Sequence, residues 1–319
     1  MRSAILVTPD HPGAVAVIQL SGDVRGMLRE LIAAEPPSSG RLTIQAVGGL
    51  DDVLVGCLDE TSAFLMPAGG PRAVRQLLEH VREHGIDIVG PAEVDPRILY
   101  PEAGSAIEAL TFAALARAAS PLAIEPLLRQ VEVLSKGAEI GPEVRDRSRL
   151  LNRLINPPLV VVAGRPNVGK STLSNRLLGR PLSIAADLPG TTRDYTAARI
   201  NLAGLVVNWV DTPGLRSTDD EIERHAVSIA VRLFESADLV IALSDPWTDW
   251  PALMREPNLR ISNKADLASR QDAALCISAQ RGDGIEELTD AIRELLVPAR
   301  ALHSRGPWLF DARLESMLP

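Results

Sequence analysis

The stretch GRPNVGKST, residues 164–172, has the spacing G-x-x-x-x-G-K-[ST] at Gly164, Gly169, Lys170 and Ser171. Glycines so placed let the backbone wrap closely round a phosphate with its N–H groups pointing inward. Lys170 is then within reach of the β- and γ-phosphates, where charge develops in phosphoryl transfer, and is a candidate catalytic residue. The Ser171 hydroxyl is a candidate Mg²⁺ ligand. Asn167, Val168, Gly169, Lys170, Ser171 and Thr172 together are candidate contacts to a nucleotide. A second motif, NKAD at 263–266, selects the base. The Asp266 carboxylate can accept two hydrogen bonds from guanine N1–H and its exocyclic amine. Adenine cannot offer that pair, so the wrong base leaves a carboxylate unpaired. Asn263 can brace the pocket, the Lys264 stem can lie over the base, and a backbone N–H at Ser278-Ala279 can meet guanine O6. GTP and GDP are the expected ligands.

Two further segments complete a switch. PGTTRD, residues 189–194, supplies Thr191 and Thr192, and Thr192 is a candidate Mg²⁺ ligand when the γ-phosphate is present. DTPG, residues 211–214, places Asp211 to hold Mg²⁺ through water and the Gly214 N–H to sense the γ-phosphate. Loops held by that phosphate and released on hydrolysis are a switch. The residue after DTPG is Leu215, which cannot orient an attacking water as a glutamine would.

These residues need a scaffold that delivers them to one edge. LVVVAG (159–164) is a continuous apolar, β-branched run, as in a strand buried on both faces of a parallel sheet. Helices are expected at 170–179, 222–235 and 284–296, and strands at 197–201, 205–210, 238–243, 259–262 and 273–278. Such alternation gives an α/β domain, a mostly parallel sheet with helices on both faces, over 157–300. Upstream, strands are expected at 3–8, 14–20, 42–47 and 52–58, with helices at 24–34 and from Pro71, making a small α+β domain over 1–100. Residues 101–156 read as a helical linker cut by Pro121, Pro126 and Pro142, and 301–319 as a C-terminal tail.

Composition sets the outer limits. A chain of 319 residues with 46% hydrophobic and 23% charged residues can bury two cores, and its net charge of −8 opposes a broadly basic nucleic-acid-binding surface. Cys57 and Cys276 are the only cysteines, too few for a disulfide framework or a cysteine zinc site. No signal-peptide core or apolar run long enough for a membrane helix is visible, so the expected location is the cytoplasm, without membrane partners.

GRPNVGKST, DLPGTTRD, DTPGLRSTDDEIER, NKAD and SAQRGDGIEEL resemble the translation-associated GTPases of the TrmE–Era–EngA group, and within it the tRNA-modification (MnmE, or TrmE) family. TPDHPGAVAVIQLSG resembles the start of that family's folate-binding domain. The resemblance implies a Mg²⁺-dependent, K⁺-assisted GTP hydrolase. Asn167 would help hold K⁺ beside the phosphates and Glu223 would help place the water, which makes both candidate catalytic residues. It further implies pairing through the N-terminal domain, and a tRNA-modification partner protein. Several family features differ. The family ends in Phe-Cys-Ile-Gly-Lys, whereas this sequence ends LESMLP. The first-motif Arg is Gln19, and the Gly-Glu-Asp…His-Gly-Gly segment is FLMPAGG (64–70), which leaves a folate site unsupported. The alternative is a regulatory or ribosome-associated GTPase switch without modification chemistry.

Overall fold

The computed structural model describes residues 2–8, 13–32, 34–179, 184–185, 196–211 and 231–318. The chain forms two compact units that meet in sequence at Ala113 and Ala114, inside helix α4 as defined below.

The first unit is built on a six-stranded sheet in the order β3-β4-β5-β2-β1-β6. Its strands are β1 (Ser3–Leu6), β2 (Ile18–Ser21), β3 (Arg41–Val47), β4 (Leu50–Cys57), β5 (Ser62–Met66) and β6 (Asp87–Val89). Only β1 and β6 pair in parallel. Helices α1 (Val24–Leu31) and α2 (Pro71–Glu83) present Val24, Met27, Leu28, Leu31, Leu77 and Val81 to the core, against Ala4, Ile18, Leu20, Val53, Val55 and Leu65 of the sheet. Apolar positions three and four apart on the helices, and two apart on the strands, put both apolar faces inward. The expected strand over 14–20 is shorter, because Val15 makes only an isolated bridge to Ala68. Strands β5 and β6 were not expected from periodicity. Helices α3 (Pro96–Leu99) and α4 (Ala106–Arg117) follow.

The second unit carries the parallel sheet. Strands β7 (Leu159–Ala163), β8 (Ile184–Ala185), β9 (Thr196–Leu202), β10 (Leu205–Asp211), β11 (Leu239–Ser244), β12 (Leu259–Ser262) and β13 (Leu275–Cys276) lie in the order β13-β12-β11-β7-β10-β9-β8. The run from β13 to β10 is parallel. Strand β9 returns antiparallel through a two-residue turn at Ala203 (φ 48°) and Gly204 (φ 89°), the conformation that matches strand twist in a tight hairpin. Strands β7 and β11 are central and buried, which their unbroken apolar sequences require. Helices α5 (Ile124–Ser135), α6 (Pro142–Leu151), α7 (Lys170–Leu178), α8 (Ile285–Leu296), α9 (Ala299–Leu302) and α10 (Leu314–Met317) complete it, and residues 231–236 are also helical.

The segments read from sequence as a helical linker and a tail are not separate in the structure from Ala114 onward. They fold onto each other within this unit around the fully buried Trp308. Trp308 N donates to Gln130 Oε1 at 2.7 Å and its indole N–H to Asn152 Oδ1 at 2.8 Å, while Leu309 N donates to Ser148 Oγ at 2.9 Å. Gln130, Ser148 and Asn152 belong to α5, α6 and the turn after it. A buried indole needs a partner for its N–H, and polar residues on those helices supply it.

Candidate functional site: a nucleotide cradle at the ends of the parallel strands

In open parallel sheets, ligand groups collect beyond the carboxyl ends of the strands. Here those ends deliver Gly164–Lys170 after β7, Asp211 at the end of β10, Asp245 after β11, Asn263–Asp266 after β12 and Ser278-Ala279 after β13.

The phosphate loop follows β7 and leads directly into α7, whose first residue is Lys170. Gly169 caps the helix with φ 97°, and Asn167 also has left-handed backbone, φ 66°. No side chain fits at Gly169, because a Cβ there would collide with the Asn263 amide nitrogen. At Gly164 a Cβ would collide with the Leu243 carbonyl oxygen. The Lys170 ammonium donates to the Gly164 carbonyl at 3.0 Å and the Arg165 carbonyl at 3.2 Å, so it spans the mouth of the loop. Val168 is buried, whereas Asn167, Ser171 and Thr172 are exposed. A helix N-terminus with several backbone N–H groups and an ammonium is a ready anion site.

Beside it, Ser171 Oγ donates to Asp211 Oδ2 at 3.3 Å. The other Asp211 oxygen, Oδ1, is buried and has no hydrogen-bond partner among the described residues. Burial pushes the Asp211 carboxyl above its usual range, and the Lys170 charge and the Ser171 hydrogen bond only partly offset it. A desolvated carboxylate with an unused oxygen next to a hydroxyl suits a divalent cation, held directly or through water. Ser171 and Asp211 therefore fit Mg²⁺. Thr192, Gly214 and Glu223 lie outside the described residues.

The base-recognition end is tightly cross-linked. Asn263, 3% exposed, donates its amide N–H to the Val168 carbonyl at 2.9 Å and accepts the Ala279 N–H at 2.9 Å. One side chain thereby joins the phosphate loop, β12 and the loop after β13. Ser278 Oγ donates to Asp266 Oδ1 at 2.6 Å, and that bond is the main cause holding the Asp266 carboxyl below its usual range. Lys264, with left-handed backbone at φ 62°, reaches Asp245 Oδ2 at 2.7 Å.

Sequence reasoning missed two residues here. Asp245 is 4% exposed; burial pushes its carboxyl up, but bonds from Lys264, Thr248 and the Trp247 N–H outweigh this and hold it low. Its place at the end of an apolar strand is the signal that could have found it. Arg176 of α7 donates to the Ala279 carbonyl at 3.0 Å and to the Gln280 carbonyl, fastening the base loop to the phosphate-loop helix. Nothing local in the sequence marks it.

The 50S ribosome-binding GTPase family model matches residues 159–294. The tRNA modification GTPase MnmE of Azorhizobium caulinodans is 36% identical over 253 residues, 79% of this chain and 54% of that protein. MnmE of Synechococcus sp. strain WH7803 is 30% identical over 310 residues, 89% of this chain and 62% of that protein. The chain thus spans little more than half the length of these curated relatives. Among solved structures, Aquifex aeolicus Era Y63A bound to GDP·AlF₄⁻ is 26% identical, with 44% of this chain and 56% of that chain covered at a TM-score of 0.34. Among the described residues no helix is long and apolar enough to cross a membrane. With the phosphate loop, base loop and their sheet in place, residues 159–294 form a P-loop GTPase domain, and over most of its length the chain is similar to the tRNA modification GTPases MnmE.

Proposed function

We propose that this chain binds GTP at the carboxyl ends of β7, β10, β12 and β13 and hydrolyses it to GDP and phosphate. The observation that carries the reading is the Asn263 bridge, which ties phosphate loop to base loop through Val168 and Ala279. Such a bridge serves a ligand that is anionic at one end and a purine at the other. Gly169, Lys170 and the start of α7 hold the phosphates, Asp266 reads guanine, and Lys264 covers it. Ser171 and Asp211 would hold Mg²⁺, Thr192 would join them when the γ-phosphate is bound, and the Gly214 N–H would sense that phosphate. Bound Mg²⁺ and K⁺ supply positive charge where the transition state becomes negative. Asn167 would hold K⁺ and Glu223 would orient the attacking water, in the role for which Leu215 is unsuited.

The MnmE relatives, by their name, support a role in tRNA modification, and the family resemblance adds the wobble uridine as target, a partner protein and pairing through the first unit. Folate binding by the first unit is doubtful. Gln19, 1% exposed, gives its amide N–H groups to Ser62 Oγ at 3.0 Å and the Ile98 carbonyl at 2.7 Å, so the side chain is committed within the fold. That observation favours keeping a second reading, a regulatory or ribosome-associated switch without one-carbon chemistry.

The test is phosphate release from GTP by purified protein in Mg²⁺ with either K⁺ or Na⁺, beside wobble-uridine analysis in a deletion strain. Turnover faster in K⁺, and lost nucleoside modification, are expected. No turnover in either salt removes the hydrolase reading. Unchanged wobble uridines remove the modification role.

A further inference from the structure

We infer that Asp245, on the loop after β11, is a positioning residue for guanine recognition, acting through Lys264. The inference rests on the GTP reading above and adds a part that none of the nucleotide motifs contains.

Lysine has a long stem with many rotamers, so a stem that must lie along a base is a poor surface unless its far end is tethered. Here both ends are tethered. The Lys264 backbone is held at φ 62°, an unfavourable conformation for a side-chain-bearing residue that structures retain chiefly at functional sites. Its ammonium meets Asp245 Oδ2 at 2.7 Å, and the Asp245 side chain is 6% exposed against 33% for Lys264. The buried partner is the anchor and the more exposed one the working part.

Asp245 is itself immobilised. Its Oδ1 accepts the Trp247 N–H at 3.1 Å. Arg270 then fastens the loop from outside, donating to the Asp245 carbonyl at 3.0 Å, the Thr248 carbonyl at 2.6 Å and Ser244 Oγ at 3.3 Å. Arg270 is in turn held by Asp272 at 2.6 Å and lies 4.3 Å from the Trp250 ring centre. The connection from β11 to β12 contains no helix. Its rigidity comes from this Arg270–Asp272–Trp250 assembly, which holds a carboxylate under the lysine of the base loop.

The acceptor for Trp247 survives in Asp245→Asn, which is nearly isosteric and turns an amide NH₂ toward Lys264, so the hydrogen bond and the charge offered to its ammonium are both lost. GDP and GTP affinities, measured by titration with fluorescent GDP and by competition, should both fall about tenfold, which is about 1.4 kcal/mol. The rate at saturating GTP should change less than twofold, because the effect lies at the base end. Asp245→Ser, checked for folding by thermal melting, is the second variant and should show the same split. In Lys264→Met the anchor has nothing to hold, so adding Asp245→Asn should weaken binding no further. Unchanged GDP affinity in Asp245→Asn overturns the inference, as does a double variant weakened by the product of the single effects. Wild-type protein that binds no guanine nucleotide overturns the GTP reading itself, and the inference with it.

Discussion

At the base end of the site, Asn263, Lys264, Asp266 and Ser278 each have partners within the chain: Val168 and Ala279, Asp245, and one another. At the phosphate end, 40 residues separate Ser171 from Asp211, and a long 3.3 Å bond joins them while the other carboxylate oxygen is buried and without a partner among the described residues. The two carboxylates shift in opposite directions as a result, Asp266 downward and Asp211 upward. A pre-paired end recognises a constant group, whereas an end with an unused oxygen and a raised carboxyl is completed by a cation. On the proposed reading, the base end would set which nucleotide binds, and the phosphate end would set when chemistry occurs.

The sharpest way to break this contrast is at the phosphate end. Asp211→Asn should reduce Mg²⁺-dependent turnover by about 10²-fold or more while leaving GDP binding without Mg²⁺ nearly intact, as single electrostatic groups in active sites typically do. The same substitution removes a desolvated carboxylate, so the nucleotide-free protein should melt at a slightly higher temperature. A variant that loses GDP binding and turnover together would show that the ends are not separable.

Next in size is Asn263→Ala. It leaves the Val168 carbonyl and the Ala279 N–H without their partner in a buried place, costing roughly 1–3 kcal/mol for each. Thermal melting should fall by roughly 4–20 °C for a unit of this size. GDP binding should weaken with it, since both loops loosen. A variant that melts normally but binds poorly would make Asn263 a ligand contact rather than a brace.

The acid limbs sharpen the comparison further. Asp211 has a raised carboxyl, so the folded state holds its proton more tightly and the protonated form is reached above the ordinary 3.8. Asp245 and Asp266 are lowered, so they stay charged until pH falls below that same 3.8. As pH drops, turnover at limiting Mg²⁺ should fail before GDP affinity does. Coincident limbs would contradict the assignment. The smallest effect is expected at Arg165 and Asp249, whose 3.7 Å pair is exposed on both sides. Arg165→Ala should change affinity less than threefold, and less still in high salt.

Much of this site could be read from sequence, because backbone-wrapping loops demand particular residues at short spacing. Gly169 must be glycine against the Asn263 amide, and NKAD must follow a buried strand. Strand β12 lies at 259–262 as expected, and α7 and α8 fall within a residue of expectation at each end. What stayed hidden depends on pairs far apart in sequence. Val168 and Asn263 are 95 residues apart, Arg176 and Ala279 103, and Gln130 and Trp308 178. No local periodicity encodes such partners, which is why residues 301–319 read as a tail although Trp308 is fully buried. Asp245 escaped for a different reason: an acid before a proline looks like ordinary turn chemistry, and only the Lys264 contact gives it a role. Thr192, Gly214 and Glu223 lie outside the described residues, so their roles rest on the motif and the resemblance.

The most direct test of the account is one titration series: binding of GDP and ADP with and without Mg²⁺, alongside GTP turnover in the same buffers. The account predicts GDP bound far more tightly than ADP, with little dependence on Mg²⁺, and turnover that disappears when Mg²⁺ is removed. Equal affinity for GDP and ADP, or turnover that survives chelation of Mg²⁺, would contradict it.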